Sequence, residues 1–225
     1  MAQGFFVTGT DTGVGKTLIA CALLRGFAAA GRTVTGMKPV AAGCERGRCA
    51  DVEALRRAST VPVEPGLANP YAFEPAIAPH IAAERAGIRI DLDRIAAAYS
   101  ELARRADVVI VEGVGGLLVP LNEHQTSADL AARLGLPLIL VVGMRLGCLN
   151  HALLTRRQID ASGLRCAGWV ANCAFSGFAE LEANIHALET RLRSPLLGAV
   201  PYLPDADPLP VAEFLSLAPL AEARA

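Results

Sequence analysis

Phe5-Phe6-Val7-Thr8-Gly9-Thr10-Asp11-Thr12-Gly13-Val14-Gly15-Lys16-Thr17 is the stretch on which the reading of the chain turns. A short apolar run reads as a strand. Glycines follow it, and Gly-Lys-Thr opens an alanine- and leucine-rich segment that reads as a helix. Strand, glycine-rich turn, Gly-Lys-Thr and helix is the arrangement of a phosphate-binding loop. Glycines let backbone N–H groups turn toward phosphate oxygens, and the helix N-terminus adds partial positive charge. Lys16 is placed to pair with the outer phosphates, and the Thr17 hydroxyl to reach Mg²⁺. The loop departs from the common pattern at one point. Thr10 stands where a glycine is usual, and the glycine comes one place earlier, at Gly9. The competing reading is a glycine-rich turn with no ligand; the strand before it and the helix after it favour phosphate.

Working outward, the bulk properties narrow the class. At 225 residues the chain can bury a large core, so one domain over 1–225 is expected. The net charge of −1 suggests neither a nucleic-acid surface nor an acidic-membrane surface. No apolar run reaches the ~18 residues of a membrane span. The start has no basic segment leading into an apolar one, so a cytoplasmic location is expected. The six cysteines form no C-x-x-C pair and the histidines are scattered, which argues against structural zinc or an iron–sulfur site. Reduced thiols fit this pattern better than a disulfide framework. Of 21 basic residues only Lys16 and Lys38 are lysine. In a chain that otherwise uses arginine, a retained lysine points to a need for a compact ammonium.

Residues 4–8 and 33–37 read as strands, and the second delivers Lys38-Pro39 at its carboxyl end, where ligands bind in parallel α/β sheets. Asp51 opens a helix, as an N-cap by its spacing or as a metal or nucleotide ligand on a sharper reading. Residues 61–80 are proline-rich with apolar residues interleaved, an ordered excursion and not a linker. His80 within it reads as structural more readily than catalytic. Asp107 to Glu112 is an apolar strand ending in an acid, with Gly113-Val114-Gly115-Gly116 behind it. An acid in that position beside a phosphate loop is suited to hold Mg²⁺. Further strands are expected at 138–142, 169–172 and 196–200, with Asn172 able to read a nucleobase edge and a loop at 201–204. The alternation predicts an α/β fold of the P-loop NTPase type, a mostly parallel sheet with helices on both faces.

Six segments taken in order resemble the dethiobiotin synthetase family, the ATP-dependent cyclo-ligases of biotin synthesis. They are Gly9 to Thr17 with its displaced glycine, Met37-Lys38-Pro39-Val40-Ala41-Ala42-Gly43, Asn69-Pro70-Tyr71-Ala72-Phe73 with Pro79-His80, Val111-Glu112-Gly113-Val114-Gly115-Gly116, Leu146-Gly147-Cys148-Leu149-Asn150-His151-Ala152, and Gly168-Trp169-Val170-Ala171-Asn172. The resemblance implies a reaction in which 7,8-diaminopelargonic acid, CO₂ and ATP give dethiobiotin through a carbamate and a carbamic–phosphoric mixed anhydride. Such chemistry needs positioned charge more than covalent help.

The resemblance also implies roles. Lys16, Lys38 and Thr12 would act on the phosphoryl group and the carbamate. Thr17, Asp51 and Glu112 would hold Mg²⁺. ATP would lie against Gly13, Val14, Gly15, Lys16, Thr17 and Leu18, then Asp51, Glu112 and Gly115. Beyond them it would meet Asn172, Cys173, Pro201, Tyr202 and Leu203, with Asn172 and the 201–203 loop at adenine. The diamine would meet Lys38, Ala42 and Gly115, and Leu146, Gly147, Cys148 and Asn150 of the other subunit of a homodimer. The chain departs from the family at Ala42, where serine or threonine is frequent and whose missing hydroxyl removes one contact. It also departs at Gly13, where some members have glutamate, and at Arg145, where lysine occurs.

Two other classes share the phosphate loop. A partitioning or septum-positioning switch ATPase carries an extra lysine early in the loop, where this chain has Asp11, and a basic amphipathic tail, which is not seen at the end of this sequence. An amidase of the cobyrinate type needs a glutaminase domain for which 225 residues leave no room. A non-catalytic nucleotide-binding module is the third alternative.

Overall fold

The computed structural model describes residues 2–174, 176–203 and 208–221. In chain order the elements are β1 (Gln3–Gly9), α1 (Lys16–Ala29), β2 (Val34–Met37), β3 (Val40–Ala42), α2 (Ala50–Ala58), α3 (Pro65–Ala68), β4 (Tyr71–Phe73), α4 (Pro79–Arg85), α5 (Leu92–Arg105) and β5 (Val108–Glu112). There follow α6 (Ser127–Leu134), β6 (Leu138–Gly143), α7 (Cys148–Ala161), β7 (Cys166–Asn172), α8 (Leu181–Leu192), β8 (Leu196–Val200), α9 (Pro208–Ala212) and α10 (Ala218–Ala221).

Six strands form one sheet in the order β2-β5-β1-β6-β7-β8, with every pairing parallel. Strand side chains alternate between the two faces, as a period of two requires. Phe5, Val7, Val108, Ile110, Ile139 and Val141 face α1, which is flanked by α2, α9 and α10. Phe6, Val109 and Val111 face the opposite layer, built with α5 and α6. Leu140, Val142, Trp169 and Ala171 on the same side pack under α7 and α8. The strands are apolar on both faces because both faces are covered.

All six expected strands are present, and β8 closes one edge. Two elements differ from the sequence reading. The strands expected from the sequence do not include β3 and β4, which pair in a separate two-stranded parallel sheet, Ala42 opposite Phe73. Asp51 is not an N-cap. Cys49 holds that position and Asp51 lies inside the first turn of α2.

The reduced-thiol expectation is corrected at one pair. Cys44 and Cys49 form a disulfide, with Cα atoms 4.3 Å apart. Arg46 and Gly47 both take positive φ, which folds the intervening residues into a tight reversal and brings the cysteines together. Cys21, Cys148, Cys166 and Cys173 are free. Among the described residues no helix is long and apolar enough to cross a membrane. Pro204, the last residue of the loop expected at 201–204, lies outside the described residues.

Candidate active site

The carboxyl ends of β1, β2, β5 and β7 converge on the phosphate loop, because parallel strands deliver their ends to one edge. Between β1 and α1 the backbone takes positive φ at Gly13 and Gly15, 76° and 90°. A side chain at 15 would meet the Asn172 amide nitrogen at 2.1 Å, so only glycine fits there. Val14 is buried, and its carbonyl accepts a hydrogen bond from Asn172 Nδ2 at 2.8 Å. Asn172, at the end of β7, thus braces the loop from below and is itself buried.

Lys16 opens α1 with its ammonium donating to the carbonyl of Asp11 at 2.8 Å. It is 6% exposed. Burial, with Lys38 nearby, lowers its pKa to about 8. An ammonium this poorly solvated is primed to take an anionic partner.

Lys38 follows β2 and lies between two carboxylates. Its Nζ is 2.5 Å from Glu112 Oε1 and 2.9 Å from Asp51 Oδ2. Burial opposes its charge, but Glu112 and Asp51 outweigh burial and hold the ammonium above the usual lysine range. Glu112 ends β5, is 1% exposed, and also accepts from the Thr17 hydroxyl at 2.8 Å. Burial pushes its carboxyl above the ordinary range despite Lys38. For Asp51 the balance reverses: burial raises it, Lys38 outweighs that, and the carboxyl is lowered.

Whether these groups suit a divalent cation is a question of donors. Thr17, Asp51 and Glu112 present hard oxygens, and Glu112 Oε2 is buried with no hydrogen-bond partner. Hard oxygen donors of this kind suit Mg²⁺, which keeps its other positions for phosphate and water. The second carboxylate oxygen fits a ligand's place. Among the described residues no cluster of three or more His, Cys, Asp or Glu side chains is present. An ion here would therefore draw part of its shell from the nucleotide.

The turn after β5 lies across the loop. Gly115 has φ 58°, and a Cβ there would sit 2.7 Å from Val119 and 3.5 Å from Thr12 Oγ1. Thr12 and Gly13 are exposed on the loop's outer side, and Leu18 is half-buried. Ala42 ends β3 half-buried. Cys173 is buried beside Asn172, with its N–H donating to the carbonyl of Val200 at 2.9 Å. Pro201 and Tyr202 are exposed and Leu203 half-buried.

The segment leading into α7 turns its 146–147 tip outward to solvent. Leu146 is 94% exposed, Gly147 and Asn150 are exposed, and the Cys148 thiol turns into the core with Met144 and Trp169. Cys148 anchors that turn; Leu146, Gly147 and Asn150 present its outer side.

Sequence reasoning missed Asn69. Its Nδ2 donates to the carbonyls of Lys38 at 2.6 Å and Tyr71 at 3.0 Å, tying the end of β2 to β4. Its place in the Asn-Pro-Tyr segment was the available signal.

Comparison with known proteins agrees with this geometry. A family model described as an AAA domain matches residues 3–209. The ATP-dependent dethiobiotin synthetase BioD of Nitrosospira multiformis is 56% identical over 218 residues, 97% of this chain and 96% of that protein. Its namesakes from Aromatoleum aromaticum and Pseudomonas paraeruginosa are 50% and 49% identical over 96% of this chain and 97% of each relative. Among solved structures, the septum site-determining protein MinD with Mg-ADP from Pyrococcus horikoshii aligns over 91% of this chain and 83% of its own, with TM-score 0.53 and 16% identity. The MinC:MinD complex of Aquifex aeolicus gives TM-score 0.57 at 13% identity, over 91% of this chain and 83% of that one. At such identities the likeness is one of fold alone, and the fold is that of the P-loop NTPases. With near-full-length relatives at about half identity and the phosphate loop, Lys38 and Glu112 gathered at one sheet edge, the chain belongs to the ATP-dependent dethiobiotin synthetase family.

Proposed function

We propose that this protein is an ATP- and Mg²⁺-dependent cyclo-ligase that closes the ureido ring of dethiobiotin from 7,8-diaminopelargonic acid and CO₂. The observation that carries the reading is the buried Lys38 ammonium, set between Glu112 and Asp51 beside the phosphate loop. It is a compact cation at the point where negative charge has to be gathered.

One amine of the diamine adds to CO₂ and loses a proton, giving a carbamate. A carbamate oxygen takes the γ-phosphoryl group of ATP and ADP leaves. The second amine attacks the carbamoyl carbon, expels phosphate and closes the ring. Lys16 exchanges its bond to the Asp11 carbonyl for the outer phosphates. Lys38 lies toward the carbamate and the transferred group, and its charge offsets theirs. Thr12 offers a hydroxyl across from Gly115, whose lack of a side chain leaves room for the diamine. Thr17, Asp51 and Glu112 would hold Mg²⁺, which supplies charge neutralisation at the phosphates. Asn172, Cys173 and the 201–203 loop lie along the sheet edge where adenine would rest.

In this reading the chain works as one cytoplasmic domain and pairs as a homodimer. The exposed turn Leu146-Gly147 and Asn150 reaches the diamine carboxylate in the partner's site; the 94% exposure of Leu146 supports that. Asp11, in place of a switch-ATPase lysine, supports the ligase over a switch.

The test is an assay of purified protein with diaminopelargonate, bicarbonate, Mg²⁺ and ATP, following phosphate and dethiobiotin together. Diamine-dependent phosphate release with matching dethiobiotin is expected, and Lys38→Gln should abolish both. Phosphate release indifferent to the diamine would overturn the reading.

A further inference from the structure

Asp11 has three engagements at once. Its carbonyl accepts from Lys16 Nζ at 2.8 Å, its Oδ1 accepts from the Thr12 N–H at 2.7 Å, and its Oδ2 accepts from Arg145 Nη2 at 2.6 Å. Arg145 is 134 residues away in sequence. It lies between β6 and α7, and its carbonyl accepts from the Cys148 N–H at 2.9 Å, closing the turn that exposes Leu146. Gly147 holds that turn with φ 94°. Arg145 therefore grips the phosphate loop with its guanidinium and the Leu146 turn with its backbone. Two weaker ties run alongside: the Thr10 N–H to the carbonyl of Val141 at 3.0 Å, and the Gly143 N–H to Thr10 Oγ1 at 3.4 Å.

We propose that Arg145 and Asp11 are a pair of positioning residues that join the phosphate loop to the Leu146–Asn150 turn, so that nucleotide binding and the placement of that turn are coupled. The ion pair holds the Asp11 peptide, and with it the Lys16 ammonium and the Thr12 amide, in one register. A bond to a planar, rigid guanidinium fixes orientation as well as distance. The partners are 39% and 45% exposed, so the pair is screened by solvent and its effect is modest and salt-sensitive. Its consequence for the diamine rests on the function proposed above; its consequence for nucleotide does not.

The test is calorimetric titration of the full chain, with Mg²⁺ and the non-hydrolysable analogue AMP-PNP, for wild type, Arg145→Ala, Arg145→Lys, Asp11→Asn and the Asp11→Asn/Arg145→Ala double variant. Arg145→Ala and Asp11→Asn are each expected to weaken binding by about threefold to fivefold. The double variant should be no weaker than the worse single, since both remove one interaction. Arg145→Lys should recover most of the loss, and the gap from wild type should narrow at high salt. Arg145→Ala should also raise the KM for the diamine more than it lowers kcat. Losses that multiply in the double variant, or wild-type affinity in Arg145→Ala, would overturn the pairing. Wild-type protein that binds AMP-PNP but never turns over the diamine would instead sink the synthetase reading alone.

Discussion

Replacing Lys38 by methionine separates what the buried ion pair does for the fold from what it does for chemistry. Lys38 and Glu112 are 4% and 1% exposed, with 2.5 Å between their charged atoms. Removing one member of so buried a pair leaves an uncompensated charge and costs about 3–5 kcal/mol, against at most ~1 kcal/mol for a surface pair. For a domain of this size that is a fall in Tm of roughly 10 °C. The sign with pH follows from Glu112. Without Lys38 its folded pKa rises further above the unfolded value, so between the two values the folded protein holds more protons. Stability then falls as pH rises through that window, and the deficit is largest near neutrality and above and shrinks in mild acid. Adding Glu112→Gln removes the stranded charge and should return most of the stability while activity stays absent. Urea melts of wild type and the two variants at mildly acidic and mildly alkaline pH, beside a dethiobiotin assay, decide the matter. A Lys38→Met protein as stable as wild type at alkaline pH, or a double variant no better than the single, would refute the reasoning.

Three other outcomes follow from the geometry. Lys16, with its pKa lowered to about 8 by burial, must be protonated to meet phosphate. Nucleotide affinity should therefore drop about tenfold between neutrality and a pH one unit above that value, measured by titration with ADP, and a flat profile would contradict it. In the same window the free protein gains stability, because the unfolded chain still holds that proton. Reduction of the Cys44–Cys49 bridge with a dithiol should lower stability by about 2 kcal/mol on loop-entropy grounds, read as a shift in the urea midpoint that Cys44→Ser/Cys49→Ser abolishes. Gly115→Ala places a methyl 2.7 Å from Val119 at φ 58°, so both stability and diamine turnover should fall; unchanged kinetics would remove Gly115 from the site.

What could be read from sequence was what is local. The phosphate loop announces itself because strand, glycines and helix are contiguous, and Lys38 could be placed because a parallel strand must end where ligands bind. Asp51 was harder. Its carboxylate matters through an ion pair with Lys38, and a contact set by how α2 packs beside β2 leaves no trace in spacing. The helix-start pattern pointed to capping, which Cys49 took. Strands β3 and β4 have three residues each, too few to display a period of two. The disulfide hid for another reason: it depends on a non-glycine residue, Arg46, accepting a left-handed conformation that few sequences advertise. Asp11 and Arg145 stood out as departures from a pattern, but their meeting across 134 residues was not legible.

The position of β1 has a bearing on how the chain is made. Synthesised before either neighbour, it pairs with β5 from Val108 onward and with β6 from Leu138 onward. β5 is complete only at residue 112 of the 225, and β6 only at residue 143. The Phe5-Phe6-Val7 segment must therefore wait, apolar and unpaired, until those later strands are made, and long-range parallel pairing is slow once it begins. The phosphate loop is thus made before the strands that complete it. Nascent chains that stall before β6 should be clients of holding chaperones and blind to ATP.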